Sequence, residues 1–110
     1  MKMILAFIQP HKLDEVTRNL EALGHFPGMS VGAVRGFGRE RMEGNGEGLL
    51  EDFTDKVSIE AVVHDHDVDA VIDAIARAAH TGRYGDGMIF VLPVERFLRI
   101  ATMNSSEQAL

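Results

Sequence analysis

The chain has no cysteine and no tryptophan, a single tyrosine and only three prolines. Without cysteine it forms no disulfide and offers no thiolate to a metal, a composition that fits a reducing, cytoplasmic setting. No apolar run approaches the roughly 18 to 20 residues of a membrane span. The opening MKMILAFIQPHK lacks a small-residue cleavage site behind its apolar stretch, so it reads as a strand rather than a signal peptide. Cations are scarce as well. Eleven Lys and Arg face seventeen Asp and Glu, for a net charge of −6, and no basic stripe offsets the balance, which argues against nucleic-acid binding. Nor is there a nucleophile–base pair or a pair of carboxylates at a defined spacing, so a catalytic role ranks last and the chain reads as a non-enzyme.

What is present suits one domain over residues 1–110. A chain of this length buries only about two-thirds of its unfolded surface, which makes self-association a natural supplement. Residues 3–8, MILAFI, form an apolar run closed by Pro10, the mark of a buried strand. Leu13, Val16, Leu20 and Leu23 then fall at helical spacing over 12–23, with Gly24 as the stop. Period-two alternation predicts strands over 29–37 and 57–63. Between the latter and residue 80, Val68, Val71, Ile72, Ile75 and Ala79 share one helix face, entered through Asp65 or Asp67 as N-cap. Apolar runs at 88–92 and 95–100 close the chain. The order is β-α-β, connection, β-α-β: an α+β, ferredoxin-like fold with a four-stranded antiparallel sheet and both helices on one face.

Two stretches stand apart. Between Phe37 and Lys56, glycines 44, 46 and 48 alternate with polar residues and acidic side chains dominate, too long for an ordinary hairpin turn. Leu49, Leu50 and Phe53 interrupt this polar segment and are candidate partner contacts. In HTGRYGDGMIFV, residues 80–91, Gly82, Gly85 and Gly87 surround Asp86, a pattern seen where backbone N–H groups cradle phosphate, and seen equally in tight helix-to-strand turns.

GMSV at 28–31, GFGR at 36–39, AAHTGRYGDG at 78–87, IFV at 89–91 and RFLRI at 96–100 together resemble the PII nitrogen-regulatory signalling family, over nearly the whole chain. In wording and departures the chain is most similar to a divergent PII-like branch found beside heavy-metal efflux transporters, with a carboxysome-associated branch, sensing a small anion, as the alternative. The resemblance implies a homotrimer that binds adenine nucleotide in clefts between subunits. The segment from about 38 to 55 corresponds to the family's T-loop, which docks on a target protein, and the resemblance to the efflux-associated branch makes a membrane transporter a candidate target. It also implies site residues. Gly85, Asp86 and Gly87 match the stretch around the phosphates, Ser30 the hydroxyl that meets adenine, and Gly36, Phe37, Gly38 and Arg39 the cleft lining. Val62 matches a residue flanking adenine, and Arg99 the first of two closing arginines that reach phosphate across the subunit boundary.

The departures matter as much. The family's lysine after GDG is Met88 and its second closing arginine is Ala101. The loss weakens any grip on a terminal phosphate, so ADP or AMP is expected ahead of ATP. The glutamine that helps hold magnesium beside 2-oxoglutarate is Glu40, which sets a negative charge beside a dianion; magnesium is left open and 2-oxoglutarate disfavoured, although Lys56, the metabolite-pairing lysine, is retained. The 38–55 segment is about three residues short and contains no tyrosine to uridylylate. Outside the resemblance, His64 and His66 alternate with aspartates in HDHD, the basis of an alternative reading as a trimeric divalent-metal binder.

Overall fold

A computed structural model of the chain describes residues 1–37 and 53–110. Strand β1, Lys2–Ile8, buries every second side chain, Ile4, Ala6 and Ile8. Pro10 ends it by opening a 3-10 turn, Pro10–Lys12, where a residue without an N–H costs nothing. Helix α1, Leu13–Glu21, turns Val16 and Leu20 inward, and Gly24, at φ 84°, terminates its last turn in a left-handed conformation. Then follow β2 (Ser30–Gly36), β3 (Thr54–Val63), a 3-10 turn at Asp65–Asp67, helix α2 (Val68–Ala79), β4 (Gly87–Pro93) and a last 3-10 turn at Glu107–Ala109.

The strands form one sheet in the order β2-β3-β1-β4, every neighbouring pair antiparallel. Register sorts the side chains. Ile4 lies opposite Ala61 and Val91, and Ala6 opposite Ile59 and Ile89, so these residues share the face that α1 and α2 cover. Ile59, Val63, Val71 and Ile75 join Ile4 and Ile8 in the core. The intervening positions, Met3, Leu5 and Phe7 of β1 with Met88, Phe90 and Leu92 of β4, occupy the helix-free face. There Phe7 and Phe90 meet edge to face at 6.4 Å, while Met88 stays 63 % exposed.

The ferredoxin-like expectation therefore holds in order and pairing, and the corrections fall at element ends. The helix expected over 12–23 is shorter, because Lys12 belongs to the proline turn and Glu21 is the last helical residue. The strand expected over 57–63 begins at Thr54, where Gly36, Arg35 and Val34 extend the ladder opposite Thr54, Asp55 and Lys56. Thr54 and Asp55, read as the end of the 38–55 loop, are thus strand. The helix cap is also different. Asp67 takes the N-cap position of α2 but caps no backbone N–H, its carboxylate meeting His25 Nε2 at 3.0 Å, while Asp65 receives the Met1 ammonium at 2.8 Å. The apolar run at 95–100 lies beyond the sheet and ends in a turn bridged by Arg99 and Asn104.

Candidate functional site

Where β2 leaves the sheet and β4 enters it, an open cleft of about 740 Å³ lies between Gly36 and Phe37 on one side, Lys56 on the floor, and Gly85, Gly87 and Met88 on the other. Tyr84, 71 % exposed, stands at its rim. Two groups separated by about fifty residues of sequence meet here because β2 and β4 are the outer strands on either side of β3 and β1, and all four end at this edge.

The turn from α2 to β4 is built by one carboxylate. Asp86 Oδ2 accepts from the backbone N–H of Thr81 at 2.7 Å and of Gly82 at 2.9 Å, and Oδ1 accepts from the Thr81 hydroxyl. Gln9 Nε2, just past β1, reaches the same Oδ1 at 3.3 Å. Burial opposes ionisation of Asp86, but the hydrogen bonds from Thr81 and Gly82 outweigh it and hold the carboxyl below the usual aspartate range. The N–H groups of 81 and 82 are consequently occupied, and Gly82 and Gly85 carry the positive φ values, 84° and 94°, that bend the chain. Lys56 Nζ donates to the Gly85 carbonyl, tying β3 to the same turn. Gly87, at φ 109°, is glycine for another reason: a Cβ there would sit 1.7 Å from the Phe7 carbonyl oxygen of β1.

A pH dependence follows from Asp86. Its folded-state pKa lies below the unfolded value of about 3.9, so the stability it contributes is complete above that value and is lost as the pH falls through the depressed folded value. Asp86→Asn is expected to cost about 1 to 2 kcal/mol at neutral pH, because an amide nitrogen replaces an acceptor facing backbone donors. It also flattens the acid limb of stability plotted against pH, and urea titrations between pH 3 and 7 give both quantities. An unchanged acid limb would show that Asp86 does not hold the turn.

The residues expected from sequence fall into separate groups. Gly36, Phe37, Lys56, Gly85 and Gly87 line the cleft, with Asp86 behind them as the turn's organiser. Ser30 lies opposite Glu60, one diagonal step from Val62 on the helix-free face, six residues along β2 from Gly36. At about 3.3 Å per residue that separates the two groups by roughly 20 Å. Arg99 belongs to neither, because its Nε and Nη2 donate to the Ala109 carbonyl at 3.1 and 2.7 Å. Gly38, Arg39, Glu40, Leu49 and Leu50 lie outside the described residues. Phe53, expected at a partner surface, packs its half-exposed ring on Phe37 at 5.8 Å, with the Arg35 guanidinium 5.5 Å above it. Gln9 and Thr81, which hold the turn, escape the sequence reading, as does Tyr84 at the rim. For Thr81 a signal exists, since a hydroxyl followed by Gly and, five positions on, by Asp is the chemistry of a side-chain-closed turn.

The metal alternative finds no support. The rings of His64 and His66 stack 5.4 Å apart, and His66 approaches Asp67 at 3.5 Å. Among the described residues no group of three or more His, Asp or Glu is arranged to hold a metal ion. Among the same residues no helix is long and apolar enough to cross a membrane.

The family model described as nitrogen regulatory protein P-II matches residues 1–104. Among curated proteins, the chain is 46 % identical over 113 aligned positions to the nitrogen regulatory protein P-II of Pasteurella multocida. It is 45 % identical to those of Haemophilus influenzae and Azospirillum brasilense, with both chains covered completely in all three comparisons. None of these names refers to metal efflux or to a carboxysome, so the two special branches gain nothing from them. A full-length likeness at this identity, together with the sheet order and the glycine turn, places the chain in the nitrogen regulatory protein P-II family.

Proposed function

We propose that the chain is a cytosolic signalling subunit that binds ADP or AMP in clefts completed by neighbouring copies and acts on a target protein through residues 38–52. Proteins of this family are regulators that bind adenine nucleotides, form trimers and contact targets. The observation that carries the reading is the cleft itself, because it joins the Gly85–Gly87 turn to Gly36 and Phe37 and to Thr54 and Asp55, the residues on either side of 38–52. Occupancy there is placed to bias whatever follows Phe37 and precedes Phe53. The opposite-end pair, Ser30 and Val62, together with Arg99, supports completion by a neighbour, since one chain does not bring the three groups together.

Self-association has an independent argument. Met88, Phe90 and Leu92 lie exposed beside half-buried Met3, Leu5 and Phe7 on a sheet face that no element of the described chain covers. A contiguous apolar face of this kind marks an interface. Sedimentation equilibrium is expected to give three times the 12.1 kDa of the single chain at micromolar concentration. Calorimetry is expected to show ADP binding to that species. A clean monomer, or no heat with millimolar ADP, AMP or ATP, would remove the proposal. Lys56, already donating to Gly85, is the cation best placed to meet an anionic group in the cleft.

A further inference from the structure

Resting on the reading of Arg99 as a phosphate contact, the geometry points to a latch: residues 104–109 hold the Arg99 guanidinium and must release it before a nucleotide can be clamped. Two of the five guanidinium donors converge on one acceptor, the Ala109 carbonyl, at 3.1 and 2.7 Å. The backbone makes the return possible. Met103 N–H donates to the Arg99 carbonyl at 2.7 Å and Arg99 N–H to the Asn104 carbonyl at 2.9 Å, with Met103 at φ 58°, so the chain reverses within five residues. Beyond the reversal, Asn104 Oδ1 accepts from Ser106 N–H at 2.8 Å and Ser106 Oγ from Gln108 N–H at 3.3 Å, forming the 3-10 turn that presents Ala109. Glu107, 3.8 Å from the Met1 ammonium, is the charged tie between this segment and the body of the protein.

Two features make this arrangement reversible. Residues 104–108 are exposed and only Ala109 and Leu110 beyond them are half-buried, so opening gives up hydrogen bonds, one distant ion pair and a small apolar contact, the profile of a segment that opens locally at low cost. The acceptor is also neutral. A phosphate competes with a carbonyl for the same guanidinium from strength, because its negative charge adds ion-pair attraction and its paired oxygens can meet the guanidinium fork at two points, whereas the carbonyl offers one neutral oxygen. A latch closed for 80 to 90 % of the time would weaken apparent nucleotide affinity about 5- to 10-fold, since only the open fraction binds with Arg99 engaged. By linkage, nucleotide would free the segment, giving the protein an output at its C-terminal end separate from residues 38–52.

The test uses full-length chains carrying Ser106→Gly with Glu107→Lys, which loosen the turn and reverse the tie to Met1, each with and without Arg99→Ala, and ADP as the calorimetric probe. Tightening of ADP by several-fold in the loosened protein, lost when Arg99 is alanine, is the expected result. Amide exchange over residues 105–109 of the unaltered chain should quicken when ADP is added. Equal ADP affinity in loosened and unaltered proteins, with Arg99→Ala weakening both, overturns the latch and leaves the phosphate role of Arg99 standing. If Arg99→Ala changes nothing, or the unaltered chain binds no ADP, the reading beneath the latch fails and the latch with it.

Discussion

Gly87→Ala is expected to destabilise the fold by about 4 kcal/mol or more, the range reached only when a substitution collides with something that cannot move aside. The added methyl would lie 1.7 Å from the Phe7 carbonyl oxygen and 2.8 Å from its carbonyl carbon, both backbone atoms of the central strand β1. Relief requires β4 to part from β1 where Gly87 pairs with Ile8, or β1 to shift under Ile4, Ala6 and Ile8 in the core. The φ of 109° adds strain for any L side chain. Gly85→Ala supplies the contrast. Its φ is 94°, but the nearest atoms to a new Cβ are the ends of Gln9 and Lys56 at 3.8 Å, so only the backbone penalty of about 1 to 2 kcal/mol applies. Urea unfolding of the two variants side by side separates them. Similar midpoints would mean that β1 and β4 tolerate a wider spacing than the register implies.

Restoring two cations is expected to change ligand preference more than any loss would. Met88 lines the cleft next to Gly87, exposed and without charge, and Ala101 sits in the turn after Arg99. Met88→Lys with Ala101→Arg should strengthen ATP over ADP by about 1 to 3 kcal/mol for each well-formed charged contact, about 5- to 150-fold apiece and at least about 30-fold if both form. Met88 points from an exposed position on the helix-free face, so the lysine does not disturb the core. Because the two ligands are compared on one protein, effects on folding largely cancel. Equal gains for ADP and ATP in paired titrations would show that these positions do not meet the terminal phosphate.

The fold was legible wherever burial imposes a period. Ile4, Ala6 and Ile8, or Val71 and Ile75, announce their elements because one face of each is removed from water. The first residues of β3 were not legible, since Thr54, Asp55 and Lys56 are polar and are held in the sheet by pairing with β2. The cap was legible in position but not in contact: Asp67 stands at the N-cap of α2, yet its carboxylate meets His25 rather than a backbone N–H of the helix. At the site, the glycine turn could be recognised, but not that Asp86 faces inward to Thr81 and Gly82, nor that Gly87 answers to the strand beside it. Periodicity carries no information about which ends of two strands lie together. That is why Ser30 and Val62 could be named with Gly85 and still lie at the other end of the sheet.

Strand β4 also constrains how the chain can be produced in folded form. Gly87–Pro93 reads GMIFVLP, an outer strand with no charged residue along its length, whereas the other outer strand, β2, carries Arg35 and two glycines. Uncharged edges invite indiscriminate pairing, and nothing before Pro93 discourages it. If the chain assembles as proposed, newly folded copies face a race between ordered assembly and edge-to-edge precipitation. Refolding yield should be set by how fast a matching copy arrives, with dilution protecting the chain from the second fate while starving it of the first.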